Sequence, residues 1–499
     1  MHKYRAILLG AFLLQGLAFD FPCAADDVVA PIDIGARREM FVDDYVIDTL
    51  DNVTHKMHHP TRRETVFTFD QAWEPYSGYV TVLKHEDTFK MYYNARPRVV
   101  PGVHRYTCYA ESDDGIKWTR PDLGILEING SKQNNVLLSD GSFSHNFTPF
   151  IDNRPGVDPE ARYKAVAGDY GSGGLYAFAS ADGIHWRTLK DEPVVVNSKE
   201  AISPPFDSQN TVFWSETEGQ YVCYYRAWNE YGFRSISRST SDDFIQWSSP
   251  TEMKFMHQGR PAPMEHLYTN GCLPYFRAPH IYIGIPYRYV ENRNRVGKEE
   301  ALSQGFEEWF YDIRSDILTD GLLISSRGGD IFQRTFLEAF IRPPMGTRHW
   351  LGYGLTPCYG IVQTGEGEMS IYAGGQRGFP NLTLSRYTLR LDGVASINAP
   401  YSVGSMTTKP LLFAGSKLML NYSTSAAGSI SVEFQDEHGH PIGPLSLQHS
   451  IPMFGNEIQE EVKWSKSKDS TVSLKIMNGL PIRIKFIMQD ADLYSFKFE

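Results

Sequence analysis

The sequence predicts an all-β chain, a five-bladed β-propeller followed by a β-sandwich, on three observations. Of its 499 residues 13% are aromatic, with 42 Gly and 29 Pro, a composition of strands and turns rather than helices. One short turn motif recurs along the first two-thirds of the chain. From about residue 396 the texture changes to short runs of alternating apolar and polar residues.

Taken in order, residues 1–25 read as a signal peptide. His2, Lys3 and Arg5 make a basic start, and residues 6–19 are apolar but too short, and too broken by Gly10, Gln15 and Gly16, to span a bilayer. Cys23-Ala24-Ala25 supplies the small residues for cleavage before Asp26, whereas Asp20-Phe21-Pro22 matches a lipoprotein signal poorly. The expected product is exported, periplasmic or extracellular, with no membrane span, because no second run of 18 apolar residues follows.

Residues 26–395 are assigned to the propeller. SDDGIKW (112–118), SADGIHW (180–186) and SDDFIQW (241–247) share one frame, and SRGGDIF (326–332) is a weaker fourth copy. Each follows a strand-like run and precedes a Pro-containing connector, the pattern of a hairpin turn in which Ser and Asp cap, Gly takes a positive φ and Trp packs beneath. It resembles a shortened Asp-box, a scaffold element of propeller blades. Two further strands precede each copy: GYVTVLK and FKMYYNA, NFTPFID and YKAVAGDY, NTVFWSE and QYVCYYRAW, GCLPYFR and HIYIGIPYRY. A fifth blade reads from HWLGYGLTP, EMSIYAGG and LSRYTLRLDG, without a clear turn copy. KEEALSQGFEEWFYDI suits a helical insertion in blade four, and EMFVDDYVID (39–48) is expected to pair with blade five and close the ring. Residues 396–499 form the sandwich, with Trp464 and Tyr494 read as core.

The 59 acidic against 48 basic residues, a net charge of −11, exclude the basic footprint of a nucleic-acid binder. Cys108, Cys223, Cys272 and Cys358 stand singly, three of them in apolar runs, and read as buried thiols. His55, His58 and His59 lack a carboxylate at ligand spacing, so no metal site is assigned; no cofactor motif such as GxGxxG, a P-loop or HExxH is present.

In a propeller the heads of the innermost strands face one another around a central funnel. Those heads carry Trp73 and Glu74, His145 and Asn146, Asp207, Gln209 and Asn210, Glu265, His266, Tyr268 and Asn270, and Tyr359. Three carboxylates, Glu74, Asp207 and Glu265, are thereby expected in one funnel, the provision that glycosidic cleavage requires: one protonated, one ionised. Arg96, Arg226 and Arg288 follow second strands and suit anionic sugars or structural carboxylates, while the aromatics suit sugar faces.

The turn motif, the five blades and the trailing sandwich resemble the five-bladed propeller glycoside hydrolases of invertases, levanases and arabinanases. MFVDDYVID, HNFTPFID, FDSQN, EHLYTN and LYSFKFE are similar to a group of exported bacterial hydrolase-like proteins. The resemblance implies a carbohydrate substrate, Glu265 as acid, Asp207 as second carboxylate and Glu74 as base or hydroxyl partner. If FVDDY is the innermost strand of blade one, Asp43 or Asp44 replaces Glu74. The chain departs from the family pattern in lacking Asn-Asp-Pro-Asn-Gly and in opening blade two with His145-Asn146 in place of Asp. Two rivals stand beside hydrolysis: a non-catalytic carbohydrate-binding propeller, and a lyase on uronic-acid polymers with Tyr359 or His266 as base.

Overall fold

The computed structural model describes residues 30–97, 105–139, 141–169, 171–196, 205–467, 470–471 and 473–499, and the predicted signal peptide lies outside them. Five sheets form the propeller, each built on an antiparallel meander, to which Lys254–His257 adds in parallel in blade four. Blade one comprises Gly78–His85, Thr88–Ala95, Tyr106–Ser112 and Val136–Leu138. Blades two and three begin at Thr148–Ile151 and Thr211–Ser215, blade four at Leu273–Tyr275 and blade five at Leu355–Pro357. Innermost strands of neighbouring blades touch one another, so the cores between blades are filled by both faces of each sheet.

The turn motif is scaffold in atomic detail. In each of three copies the Asp (114, 182 or 243) accepts two backbone N–H bonds and the Ser hydroxyl, and the Trp indole donates to the residue at the positive φ. Gly115, Gly183 and Phe244 hold that conformation at φ 71°, 79° and 69°. Each copy joins the third strand of its blade to the fourth.

The ring is closed by a different segment from the one expected. The outermost strand of blade five is Thr61–Thr68, antiparallel to Thr383–Arg390. Its TRRETVFT is charged and mostly exposed, so it lacks the apolar alternation that would mark it as a strand. In EMFVDDYVID only Glu39–Met40 and the start of Ile47–Asp51 are strand, and both pair within the C-terminal sheet, Glu39 with Phe496 and Ile47 with Thr408. Its alternation reflects a position between two cores: Met40 and Val42 face the propeller, Phe41 and Val46 the second unit. Asp43 and Glu39 both grip Arg327 of the fourth turn copy, and Asp44 lies 3.4 Å from His55, so neither Asp43 nor Asp44 is a funnel reserve.

Ile32–Gly35, Glu39–Met40, Ile47–Asp51 and Thr54–Met57 thus join the C-terminal strands. That unit is organised on two long strands, Leu418–Gln435 and Arg483–Phe498, which pair with each other through two register shifts. Inward residues run Ile484, Phe486, Met488, then Ala491, Leu493, then Phe496, Phe498, changing phase at those irregularities while staying in one core. Trp464, 1% exposed, is in that core. The four cysteines are buried thiols, and burial pushes all four up in pKa. The predicted insertion of blade four is two short helices, Lys298–Ser303 and Glu308–Arg314. No described helix is long and apolar enough to cross a membrane.

Candidate active site in the funnel

The funnel is centred on Asp207. Phe206 sits at φ 65° and Ser208 N–H bonds back to the Phe206 carbonyl, so Asp207 stands at the apex of a three-residue turn. A bulky residue in the left-handed region is strained, and neighbours over-determine it here: Asn146 and Asn210 both donate to the Phe206 carbonyl. The Asp207 side chain is 51% exposed, with Arg226 Nη2 3.0 Å from Oδ2 and His145 Nε2 3.1 Å from Oδ1. Burial works against its ionisation, but the His145 hydrogen bond and the Arg226 charge prevail and bring its pKa to about 2. Burial depresses the His145 pKa.

Aromatic rings line the wall. Tyr268 stacks between Tyr287 and Tyr289, with centroids 5.1 and 5.5 Å away, and meets Tyr353 edge-on. Tyr79, at φ 44° in an irregular stretch of its strand, presents its ring edge-on to His145. Arg377 lies over Tyr79 and Tyr353, Arg226 over Tyr268, and Arg96 over Tyr76. Burial, then neighbouring phenols, hold Tyr79 and Tyr287 well above the ordinary tyrosine pKa, so both remain protonated donors. At the mouth, Glu307 at the head of the second inserted helix accepts from the Tyr76 hydroxyl and from the Trp309 indole, and its N–H donates to Gly378 of blade five.

Asp207, His145, Arg226 and Tyr268 are brought together as the sequence suggests, with Arg96 on the near wall. The other nominated residues have structural employment. Glu74 is fully buried in blade one, bidentate to Arg120 at 3.0 and 2.9 Å and bonded by Tyr93; Trp73 beside it donates to Asn135. Glu265 is a correction to the assigned acid: Arg288 takes Oε1 at 2.8 Å, and Arg334 lies 2.7 Å from Oε2 without hydrogen-bond alignment. Arg288 also holds Asp320, and Glu265 lines a groove between blades three and four rather than the funnel. Alternation along the extended segment 265–268, which bridges Arg288 at Leu267, explains it: Tyr268 and His266 face one side, Glu265 and Leu267 the other. His266 accepts the Arg234 N–H through Nδ1 at the funnel's flank.

Asn146, Asn210 and Asn270 are buried brackets at equivalent blade positions. Each bonds main chain of its own blade or a neighbour: Asn146 to Gly168, Asn210 to Arg226 N–H, Asn270 to the Tyr224 carbonyl. Gln209 crosses the central channel to Thr81 of blade one, and Tyr359, 2% exposed, is bonded through its main chain to Val80 and Val82 there. Neither reaches the funnel. His55, His58 and His59 each bond a different partner, the Phe41 carbonyl, the Ser396 hydroxyl and the Phe340 carbonyl. Sequence reasoning missed Tyr79, Tyr287, Tyr353, Arg377 and Glu307. Arg377 was reachable, since it follows the second strand of blade five as Arg96 follows that of blade one, with Arg226 near the end of that of blade three.

No family model matches the chain, and no curated protein does. Solved structures with partial likeness include one titled a glycoside hydrolase, at 12% identity and TM-score 0.44 over 66% of this chain and 92% of its own. Another is an N-acetylgalactosamine deacetylase from F. plautii in complex with blood group B trisaccharide, at 10% identity and 0.41 over 68% and 96%. A third is the exo-inulinase from Aspergillus awamori, at 13% identity and 0.39 over 89% and 99%. These likenesses concern the course of the chain and assign no residue a role.

Proposed function

We propose that the protein is a glycoside hydrolase-like propeller that takes a glycan into this funnel and cleaves a glycosidic bond there. The observation that carries the reading is Asp207: a half-exposed carboxylate on a strained turn, kept ionised by His145 and Arg226, on an aromatic floor. Tyr268 and Tyr79 offer ring surfaces for sugar faces, and the protonated phenols donate to hydroxyls.

In this reading Asp207 is the ionised partner, facing the anomeric carbon as nucleophile or as base for water. Its low pKa excludes it as the acid. The acid role passes from Glu265 to Glu307, the carboxylate that the inserted helices bring to the mouth beside blades one and five. Glycosidic cleavage then needs the leaving oxygen on the Glu307 side and the anomeric carbon on the Asp207 side.

The test is a panel of polysaccharides and oligosaccharides scored for new reducing ends with the parent, Asp207→Asn and Glu307→Gln. Cleavage by the parent, lost in both variants while the fold is retained, supports the reading. Cleavage unchanged in Asp207→Asn overturns it, and glycan binding by all three without cleavage identifies a recognition module instead.

A further inference from the structure

The chain carries a net charge of −11, yet its funnel is rich in cations. Arg377 of blade five lies over Tyr79, Arg226 of blade three over Tyr268 and Arg96 of blade one over Tyr76, with Arg377 and Arg105 close enough to oppose the charge of Arg96. Arg226 is matched by Asp207. Arg377 has no such match: it lies over the rings of Tyr79 and Tyr353, and no carboxylate of the described residues pairs with it. A guanidinium lying on aromatic rings, without a carboxylate, offers its N–H fork to an incoming oxyanion.

A second observation points to the same place. Tyr287 is 1% exposed and its hydroxyl has no hydrogen-bond partner among the described residues. It lines one cavity with Gly78, Tyr79 and Arg377. A buried donor left unmade is costly, and an acceptor brought in by a ligand removes the cost.

We propose that Arg377, assisted by Arg96 and the Tyr287 hydroxyl, forms a subsite for an anionic substituent of the glycan, a carboxylate or a sulfate ester. This rests on the funnel being the glycan site, and it adds the chemical class of the sugar. Arg377 supplies a bidentate fork, Arg96 long-range attraction and Tyr287 a neutral donor, three contributions that a neutral sugar does not use together.

The experiment measures binding of the full chain to matched polymers by calorimetry: a polyuronate against its carboxyl-reduced form, and a sulfated galactan against its desulfated form. The two pairs separate carboxylate from sulfate as the source of charge. The parent is expected to prefer one charged member by about tenfold or more, with the preference shrinking as salt rises. Arg377→Met and Tyr287→Phe are each expected to reduce that preference, the first by about tenfold and the second by about threefold. Tyr287→Phe keeps the ring, so the test survives if Arg377→Met fails to fold. Equal affinity for charged and neutral members, no binding of any charged polymer, or an unchanged preference in Tyr287→Phe and a folded Arg377→Met overturns the subsite. Charged-glycan binding that depends on Arg377 without any cleavage leaves the subsite standing and removes the hydrolytic reading; cleavage of neutral glycans by a parent without charge preference does the reverse.

Discussion

The Arg377 guanidinium occupies the space that a side chain on Gly78 would need: a Cβ there would collide with Nη2. The missing side chain of one blade is therefore what lets the arginine of another lie over Tyr79. Gly78→Ala is expected to keep the fold, because the obstructing atom is the end of a flexible side chain, while swinging the guanidinium off its aromatic bed. Calorimetric titration with the preferred charged polymer should show affinity down by about threefold to tenfold, with the thermal midpoint nearly unmoved.

Glu74 and Asp207 are predicted to respond oppositely to amide substitution. Glu74→Gln leaves Arg120 beside a neutral group in blade one and is expected to cost about 3 kcal/mol in denaturant unfolding. Asp207→Asn, at a half-exposed site, should cost about 1 kcal/mol at most but abolish cleavage. Equal destabilisation by the two would contradict the placement of Glu74 as scaffold and Asp207 as chemistry.

Acid stability carries a signature of Asp207 and His145. Asp207 has a folded pKa of about 2, below its ordinary 3.8, so its contribution is complete above pH 3.8 and is lost as pH falls toward 2. His145 is depressed by burial, so the unfolded chain takes up its proton first and stability also declines as pH drops below 6.5. Unfolding midpoints measured from pH 7 to 3 should fall less steeply in His145→Gln than in the parent between pH 6.5 and 5.

Phe244 bears in blade three the backbone strain that Gly115 and Gly183 avoid in blades one and two. Its ring is fully buried against Phe150, Tyr221 and Trp247. Phe244→Gly relaxes the left-handed conformation, worth about 1 kcal/mol, but deletes a buried ring worth about 3–5 kcal/mol. A net loss of about 2–4 kcal/mol is expected in chemical denaturation. Stabilisation would mean that the strain outweighs the packing.

The propeller was legible because each blade repeats its own turn chemistry: Ser112, Asp114 and Trp118 declare a hairpin without reference to the rest of the chain. The closing strand Thr61–Thr68 was not, since an edge strand exposed to solvent has no buried face to impose alternation. At the site, Asp207 was readable from its place ahead of an inner strand, whereas Glu74 and Glu265 shared that cue and differ only in which arginine meets them. Pairings such as Glu74 with Arg120 or Glu265 with Arg334 span 46 and 69 positions and leave no local trace. Glu307 arrived on an insertion whose destination over blades one and five no pattern in its own sequence specifies.

The strands between residues 39 and 57 are woven into the sheet built by residues 395–498, and Ile32–Gly35 pairs with Leu411–Phe413 apart from it, so the polypeptide enters this unit, leaves it to trace all five blades, and returns. Topologically the propeller is a guest inserted into a host whose two halves are separated by more than three hundred positions. A scission at residue 395 would therefore not release two modules; it would strip the host of its long strands and leave the first strands, with Phe41, Val46 and Ile47, as exposed apolar surface. During synthesis the host cannot assemble until the guest has emerged in full, which makes completion of the last strand, Arg483–Phe498, the event that seals the host.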